Sequence, residues 1–186
     1  MKNGIKGVDR PKSICEVIIR EAVAGDAENL AVLKQQVWIS TYAVEGIRQE
    51  FSSYVLSEFS KDQVHNVLLQ KQNRTLLAIL NGHIVGCIEC CLKASSPDGI
   101  LPCCPEITVL YVLDGFSGQG VGYQLLMSAL ELIKNKGYNK TWLSVYHENK
   151  RAINFYQANQ FNKGGEIFFE LDTNKYKNWV MLRMIE

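Results

Sequence analysis

The sequence has neither a long apolar run nor a marked excess of charge of one sign. None of its hydrophobic stretches approaches the roughly 20 residues that a membrane-spanning helix requires. Its 20 Lys and Arg residues nearly balance 19 Asp and Glu residues, so the net charge is +1, and the basic residues are spread along the chain. With neither a basic field nor an acidic tail, nucleic acid and membranes are not expected partners.

The first twelve residues contain Lys and Gly but lack the apolar stretch of a secretory signal. We interpret residues 1–12 as a flexible leader and residues 13–186 as one domain, because domains usually have roughly 100–200 residues. A chain without a signal is expected in the cytoplasm, where thiols stay reduced.

Six cysteines raise the question of a metal site. Cys87, Cys90 and Cys91 lie in a segment that reads as a strand, which places Cys90 on the face opposite the other two. Structural zinc sites usually place paired cysteines at tight turns, so free core thiols explain the pattern better and no metal is expected. A zinc-binding interaction domain is the alternative, and metal-free protein that folds normally would exclude it.

Proline is also scarce, and three of the four prolines fall within residues 94–105, which we predict to be a loop. Asn81-Gly82 separates two strand-like segments and suits a type I′ hairpin turn. Asp26 is predicted to cap the first helix. Hydrophobic patterning predicts strands at 16–20, 74–80, 83–92, 107–113, 140–146, 166–171 and 179–184, and helices after Asp26 and at 45–56, 61–71, 121–136 and 149–159.

A glycine cluster joins the predicted strand 107–113 to the helix that follows. Residues 117–122 read Ser-Gly-Gln-Gly-Val-Gly. Alternate glycines permit close backbone approach, and the amides of a helix N-terminus favour a phosphate group. The spacing fits neither the dinucleotide fingerprint, whose sixth position would be Tyr123, nor the P-loop, which ends in Gly-Lys-Ser/Thr. The local chemistry therefore indicates an anion site, and a pyrophosphate fits it best.

Two ordered segments resemble the GNAT acetyltransferase superfamily. Residues 117–122 are similar to its Arg/Gln-x-x-Gly-x-Gly/Ala signature. Residues 149–156, Asn-Lys-Arg-Ala-Ile-Asn-Phe-Tyr, are similar to its second signature, and Asn159-Gln160-Phe161 follows where that family has Gly-Phe. Ser117 stands where the family usually has Arg or Gln, which implies that one pyrophosphate contact is weakened or replaced, while the backbone amides still bind with somewhat lower affinity.

The resemblance implies an α/β (mixed α+β) GNAT acyl-CoA N-acyltransferase fold, with a central, mostly antiparallel, twisted sheet of about seven strands, splayed in the middle and flanked by helices. It implies acetyl-coenzyme A as co-substrate, with no metal. The main chain of the central strand would pair with pantetheine, and the glycine cluster would hold the pyrophosphate. The residues implied in coenzyme A binding are Tyr111, Val112, Leu113, Ser117, Gly118, Gln119, Gly120, Val121, Gly122, Tyr123, Asn149, Ala152 and Tyr156.

Tyr156 is the candidate catalytic acid, because the family's corresponding tyrosine protonates the departing thiolate. Packing on a buried helix face is the alternative role for this side chain. A substrate amine must lose a proton before it attacks, and Glu106 is the first candidate for that base. Glu89 and His147 are the other candidates, and each of the three has an ordinary structural explanation too.

The acceptor is expected to be a primary amine, either of a small molecule such as a polyamine or of a peptide N-terminus. Glu45, Glu50, Glu58 and Asp62 could attract a cationic amine, although an ordinary solvated surface explains them as well. The rival function is a non-catalytic, coenzyme A-binding sensing or interaction module. A homodimer could form if residues 179–184 were an edge strand.

Overall fold

The computed structural model describes residues 16–94 and 103–186. Within those ranges, the chain forms seven strands and five α-helices. The strands are β1 (Ile18–Glu21), β2 (Asn73–Leu80), β3 (His83–Cys91), β4 (Glu106–Val112), β5 (Lys140–Tyr146), β6 (Asn162–Leu171) and β7 (Asn174–Met184). The helices are α1 (Ala27–Tyr42), α2 (Gln49–Glu58), α3 (Lys61–Leu69), α4 (Val121–Asn135) and α5 (Lys150–Ala158). Most of the predicted loop at 94–105 lies outside the described residues.

All seven strands form one sheet in the order β1-β2-β3-β4-β5-β7-β6. Every neighbouring pair is antiparallel except β4 and β5, which run parallel and pair only at Glu106 and Trp142. Pro105 extends this junction, because its carbonyl accepts the Trp142 N–H at 3.1 Å. Beyond it the two central strands part, which confirms the predicted seven-stranded, splayed architecture.

The prediction that residues 179–184 form an edge strand is wrong. Strand β7 lies between β5 and β6, so its main-chain groups are already paired on both sides. The edges of the sheet are β1 and β6. The argument for a homodimer through residues 179–184 required an edge strand and therefore no longer holds.

The predicted hairpin turn is confirmed, whereas the predicted side-chain cap of α1 is wrong and two strands differ in their bounds. Asn81 and Gly82 adopt φ angles of 51° and 77°, as the hairpin turn requires. Asp26 does not cap α1 through its side chain; its carboxylate instead accepts the Val23 N–H at 2.8 Å and pairs with Arg20 at 2.7 Å. Strands β6 and β7 begin earlier than predicted. Most of β6 is exposed and lacks apolar alternation, so the sequence pattern does not mark its first residues.

Helices cover both faces of the sheet. Helix α4 packs Leu125, Ala129 and Ile133 into the largest core cluster, on one face. On the other face a second cluster joins Leu30 of α1 to Val64 of α3. Within the described ranges, no helix has the combination of length and apolar character that a membrane crossing requires.

Two of the three cysteines of β3 belong to these two clusters, one to each. Cys87 packs with Leu30, and Cys90 packs with Leu125, as the strand alternation predicts. Burial raises the pKa of the Cys90 thiol to about 12 and that of Cys87 further, so both stay protonated and serve as small core residues. Among residues 16–94 and 103–186, no group of three or more His, Cys, Asp or Glu side chains could hold a metal ion.

Gly86 allows β3 and β4 to approach closely. A Cβ atom at this position would lie 2.9 Å from the main-chain oxygen of Tyr111 and 3.2 Å from side-chain atoms of Leu125 and Val112. We expect Gly86→Ala to lower the free energy of unfolding by about 1–3 kcal/mol, because main chain must shift to admit the methyl group. Urea denaturation measures this change.

Gly25→Ala is the matched control, since nothing lies within 4 Å of its added Cβ. An equal loss of stability in both variants would contradict the steric explanation.

Candidate active site

A cavity of about 630 Å³ opens where β4 and β5 part. One wall is β4 itself, and the glycine turn before α4 closes one end. The N-terminal part of α5 and the last turns of α1 supply the remaining walls. The lining combines Val37, Ser40, Thr41, Tyr42, residues 107–112, Asp114, Phe116, Ser117, Gly118, Gly120, Gly122, Tyr123, Ser144, Val145, Asn149, Arg151, Ala152, Phe155 and Tyr156.

The glycine turn presents main-chain donors to this cavity. Gly118 and Gly120 have φ angles of 74° and 82°, which a side chain would strain, and Gly120 is the N-cap of α4. The first hydrogen bond of α4 runs from Gln124 to Gly120, so the amides of residues 121–123 have no partner inside the helix. Together with the positive end of the helix dipole, these amides suit a phosphate.

Only some of the turn residues predicted to bind coenzyme A line the cavity. Ser117, Gly118, Gly120, Gly122 and Tyr123 line the cavity. Val121 is buried, so its contribution is confined to the main chain. Gln119 does not line the cavity; its side-chain nitrogen donates to the Gly115 carbonyl at 2.9 Å.

Along β4, every second residue directs its main-chain N–H and C=O groups into the gap between β4 and β5. Leu113 donates its N–H to the Val85 carbonyl at 3.0 Å. Main-chain groups alternate in direction along an antiparallel strand, so those of Tyr111 also point toward β3, and those of Leu110 and Val112 point into the gap. Val112 was predicted to contribute here. Leu110 was missed, Leu113 does not line the cavity, and Tyr111 lines it although its main-chain groups point toward β3.

Helix α5 places Asn149, Ala152 and Tyr156 on the cavity wall. Asn149 is the N-cap, and its side-chain oxygen accepts the Ala152 N–H at 3.0 Å. The Tyr156 ring packs against Phe155 and Phe161, with centroids 5.4 and 5.6 Å away. Burial, with a smaller effect of Tyr42, raises the Tyr156 pKa well above its usual value, so the phenol is protonated at neutral pH.

The three candidate bases differ in their surroundings. Glu106 is half-buried where β4 and β5 part; it does not line the cavity itself but adjoins the lining residue Ile107, and burial raises its pKa to about 7. Glu89 is engaged, because both of its oxygens accept from Lys34 Nζ at 2.9 Å. His147 lies off the cavity wall, with Nδ1 3.1 Å from the Lys177 carbonyl oxygen.

Several lining residues were missed by sequence reasoning. Val37, Ser40, Thr41 and Tyr42 come from α1; Val37-Trp38 and Thr41-Tyr42 resemble the corresponding stretch of family members that act on small amines, but these residues were not assigned to the site. Ser144 and Val145 come from β5, Arg151 and Phe155 from α5, and the signature around residues 149–156 was the only signal near them.

The acidic residues proposed to attract an amine do not line the cavity. Glu45, Glu58 and Asp62 are exposed. Glu50 is engaged with Arg48, Asn174 and Tyr176, at 2.7–3.1 Å.

Comparison with known proteins agrees with this geometry. The Acetyltransferase (GNAT) family model matches residues 41–161. Spermidine N(1)-acetyltransferase of Thermoplasma acidophilum is 25% identical over 77% of this chain and 86% of its own. An uncharacterised N-acetyltransferase of Mycobacterium bovis is 25% identical over 85% of this chain and 97% of its own.

Solved structures share the fold. The PaiA N-acetyltransferase from Thermoplasma acidophilum, crystallised with coenzyme A, superposes with a TM-score of 0.74 at 22% identity, over 91% of this chain and 99% of that one. The ribosomal-protein-S18-alanine N-acetyltransferase from Escherichia coli gives a TM-score of 0.64 at 16% identity, over 92% and 95% of the two chains. The chain therefore belongs to the GNAT family of acyl-coenzyme A-dependent N-acetyltransferases.

Proposed function

We propose that this protein transfers the acetyl group of acetyl-coenzyme A to a primary amine of a small molecule by direct attack. The observation that carries the proposal is one continuous cavity that joins an amide-rich glycine turn to a buried, protonated tyrosine. The turn matches the charge of a pyrophosphate, and the free edge of β4 matches the amides of a pantetheine arm. Both features fit coenzyme A.

Each reacting group of the chain has a defined task in this proposal. Glu106, directly or through a water molecule, accepts a proton from the incoming ammonium or amine. The amine nitrogen then forms a bond to the acetyl carbon while the carbon–sulfur bond breaks. Tyr156 donates its hydroxyl proton to the departing sulfur, which restores a neutral thiol, and the phenol regains a proton from the nitrogen, which loses its second proton as the amide forms. The gap between β4 and β5 holds the reacting groups in one orientation and limits access of water.

A small-molecule amine is favoured over a peptide by the relative from Thermoplasma acidophilum, whose name specifies spermidine. A peptide N-terminus is the alternative acceptor. The rival function, a sensing module that binds coenzyme A without catalysis, is disfavoured by the placement of Tyr156 and Asn149 on the cavity wall.

Release of free thiol from acetyl-coenzyme A tests the proposal, with small amines and short peptides offered as acceptors. Release that depends on a small amine supports it. Peptide-dependent release alone would move the acceptor to the alternative class. Binding of coenzyme A with no transfer to any acceptor would favour the sensing module.

The raised pKa of Glu106 predicts a specific pH dependence. The base acts when ionised, so kcat/KM should rise with pH and lose one unit of logarithmic slope as the pH passes about 7, because Glu106 is half ionised there and its ionised fraction levels off above that pH. The free fraction of an amine with a pKa near 10 goes on rising through this range, and that contribution should persist.

Glu106→Gln should remove the break near pH 7 and lower kcat/KM by about 10²-fold or more at pH 8. Steady-state thiol release from pH 5.5 to 9 measures both effects. A break that persists unchanged in the variant would exclude Glu106 as the base.

A further inference from the structure

One end of the cavity is walled by tyrosines. Tyr42, in the last turn of α1, and Tyr111, from β4, both line it. Tyr42 lies close enough to Tyr156 to contribute to the raised pKa of that phenol. This tyrosine wall, defined as Tyr42 and Tyr111, therefore borders the space next to the candidate acid, away from the glycine turn.

A second layer of aromatic rings supports the wall. The Trp38 ring lies against Tyr42, with centroids 5.0 Å apart, and in turn contacts Tyr54 at 5.2 Å. Phe59 meets Tyr111 edge-on at 6.5 Å. Because these supporting rings are packed into their own apolar cluster, the wall is preorganised rather than adaptable.

The hydroxyl groups of the wall are available to a ligand. Tyr42 makes no hydrogen bond through its side chain to another described residue, and neither does Tyr111. Burial raises the pKa of both phenols, so both are neutral at physiological pH. The wall therefore offers apolar ring faces with a few neutral polar groups.

Carboxylates are scarce on the cavity lining. Among the described residues, Asp114 is the single carboxylate on the cavity lining, and it lies at the glycine-turn end. Of the carboxylates off the lining, Glu89 is paired with Lys34, and Glu106 is the base that the reacting amine itself would engage. A polyamine carries further ammonium groups, each of which needs a carboxylate or open water when the first amine is buried.

We infer that the acceptor carries a single primary amine on a flat, apolar body, of the arylalkylamine kind, and that the tyrosine wall selects it over polyamines. This inference rests on the proposed acetyl transfer and names its acceptor class. The ring faces bury the apolar body, and the absence of a second charged group avoids an unpaired buried cation.

The test compares 2-phenylethylamine with spermidine as acceptors in thiol release. We expect kcat/KM to be about tenfold or more higher for 2-phenylethylamine. Equilibrium binding of each amine to the protein saturated with coenzyme A is measured by calorimetry in parallel. The two readouts separate recognition of the amine from its acetylation.

Tyr42→Ala tests the wall, and Phe168→Ala is the control, since Phe168 is exposed and off the lining. Tyr42→Ala should weaken 2-phenylethylamine binding by about tenfold while coenzyme A binding changes little. Phe168→Ala should leave both affinities unchanged. Tyr42→Phe should retain most of the affinity, because it keeps the ring. This second variant also guards against a folding defect in Tyr42→Ala being taken for a loss of binding.

The outcomes are distinguishable. Transfer that prefers spermidine would overturn the inference and leave the proposed function intact. Binding of 2-phenylethylamine that depends on Tyr42, with no transfer to any amine, would support the subsite and refute the proposed acetylation. Equal loss of affinity in Tyr42→Ala and Phe168→Ala would refute the role of the wall.

Discussion

Replacing Tyr156 with phenylalanine is expected to lower kcat for acetyl transfer by about 10²- to 10³-fold, with little change in coenzyme A affinity. The substitution removes one oxygen atom and keeps the ring that packs between Phe155 and Phe161. The hydroxyl makes no hydrogen bond to another residue in the described part of the chain, so its loss leaves no protein partner unsatisfied.

The size of the effect follows from the chemistry of the leaving group. Without a proton donor, the sulfur must leave as a thiolate into a wall of apolar side chains, where a charge is poorly solvated. The raised pKa of Tyr156 keeps the proton available across the neutral range. Thiol release under saturating acceptor measures kcat, and calorimetry measures coenzyme A binding.

Tyr138→Phe is the matched control for Tyr156→Phe. Tyr138 is partly buried against the same core cluster to which the buried Tyr156 belongs, yet it lies outside the cavity. The control should retain kcat within about a factor of two, because its hydroxyl has no access to the reacting groups. If Tyr156→Phe retained as much activity as the control, Tyr156 would serve packing alone.

The sequence predicted the second half of the chain well because its signals are local. A hydrophobic strand, a glycine turn and an amphipathic helix follow one another within residues 106–135, and each is set by neighbours in the chain. The capping asparagine at position 149 similarly acts on an amide three residues away. Such features need no knowledge of the remaining fold.

Features that depend on distant pairing could not be predicted in the same way. Strand order placed β7 inside the sheet, although β6 and β7 are neighbours along the chain and either could have been the edge. The contribution of Tyr42 to the cavity likewise depends on how α1 crosses a sheet formed by residues far along the chain. Periodicity identifies a buried face but not what lies opposite.

The Lys34–Glu89 ion pair shows the same limit and leads to the largest expected effect on stability. Neither residue carries a sequence signal for burial, yet their side chains are 6% and 8% exposed and join α1 to β3. Lys34 Nζ also lies 5.0 Å from the Phe59 ring centroid. We expect Lys34→Met to lower the free energy of unfolding by about 3–5 kcal/mol, because it leaves the Glu89 carboxylate buried without a counter-charge.

Adding Glu89→Met to Lys34→Met should recover most of that loss, since two apolar side chains can replace a buried ion pair at little cost. Lys61→Met is the control: Lys61 and its partner Glu28 are 62% and 72% exposed, and removing such a pair should change stability by less than about 1 kcal/mol. Urea denaturation of the four proteins measures these differences. A double variant no more stable than Lys34→Met would show that the pair is needed for the position of α1 itself, and with it the position of Tyr42 on the cavity wall.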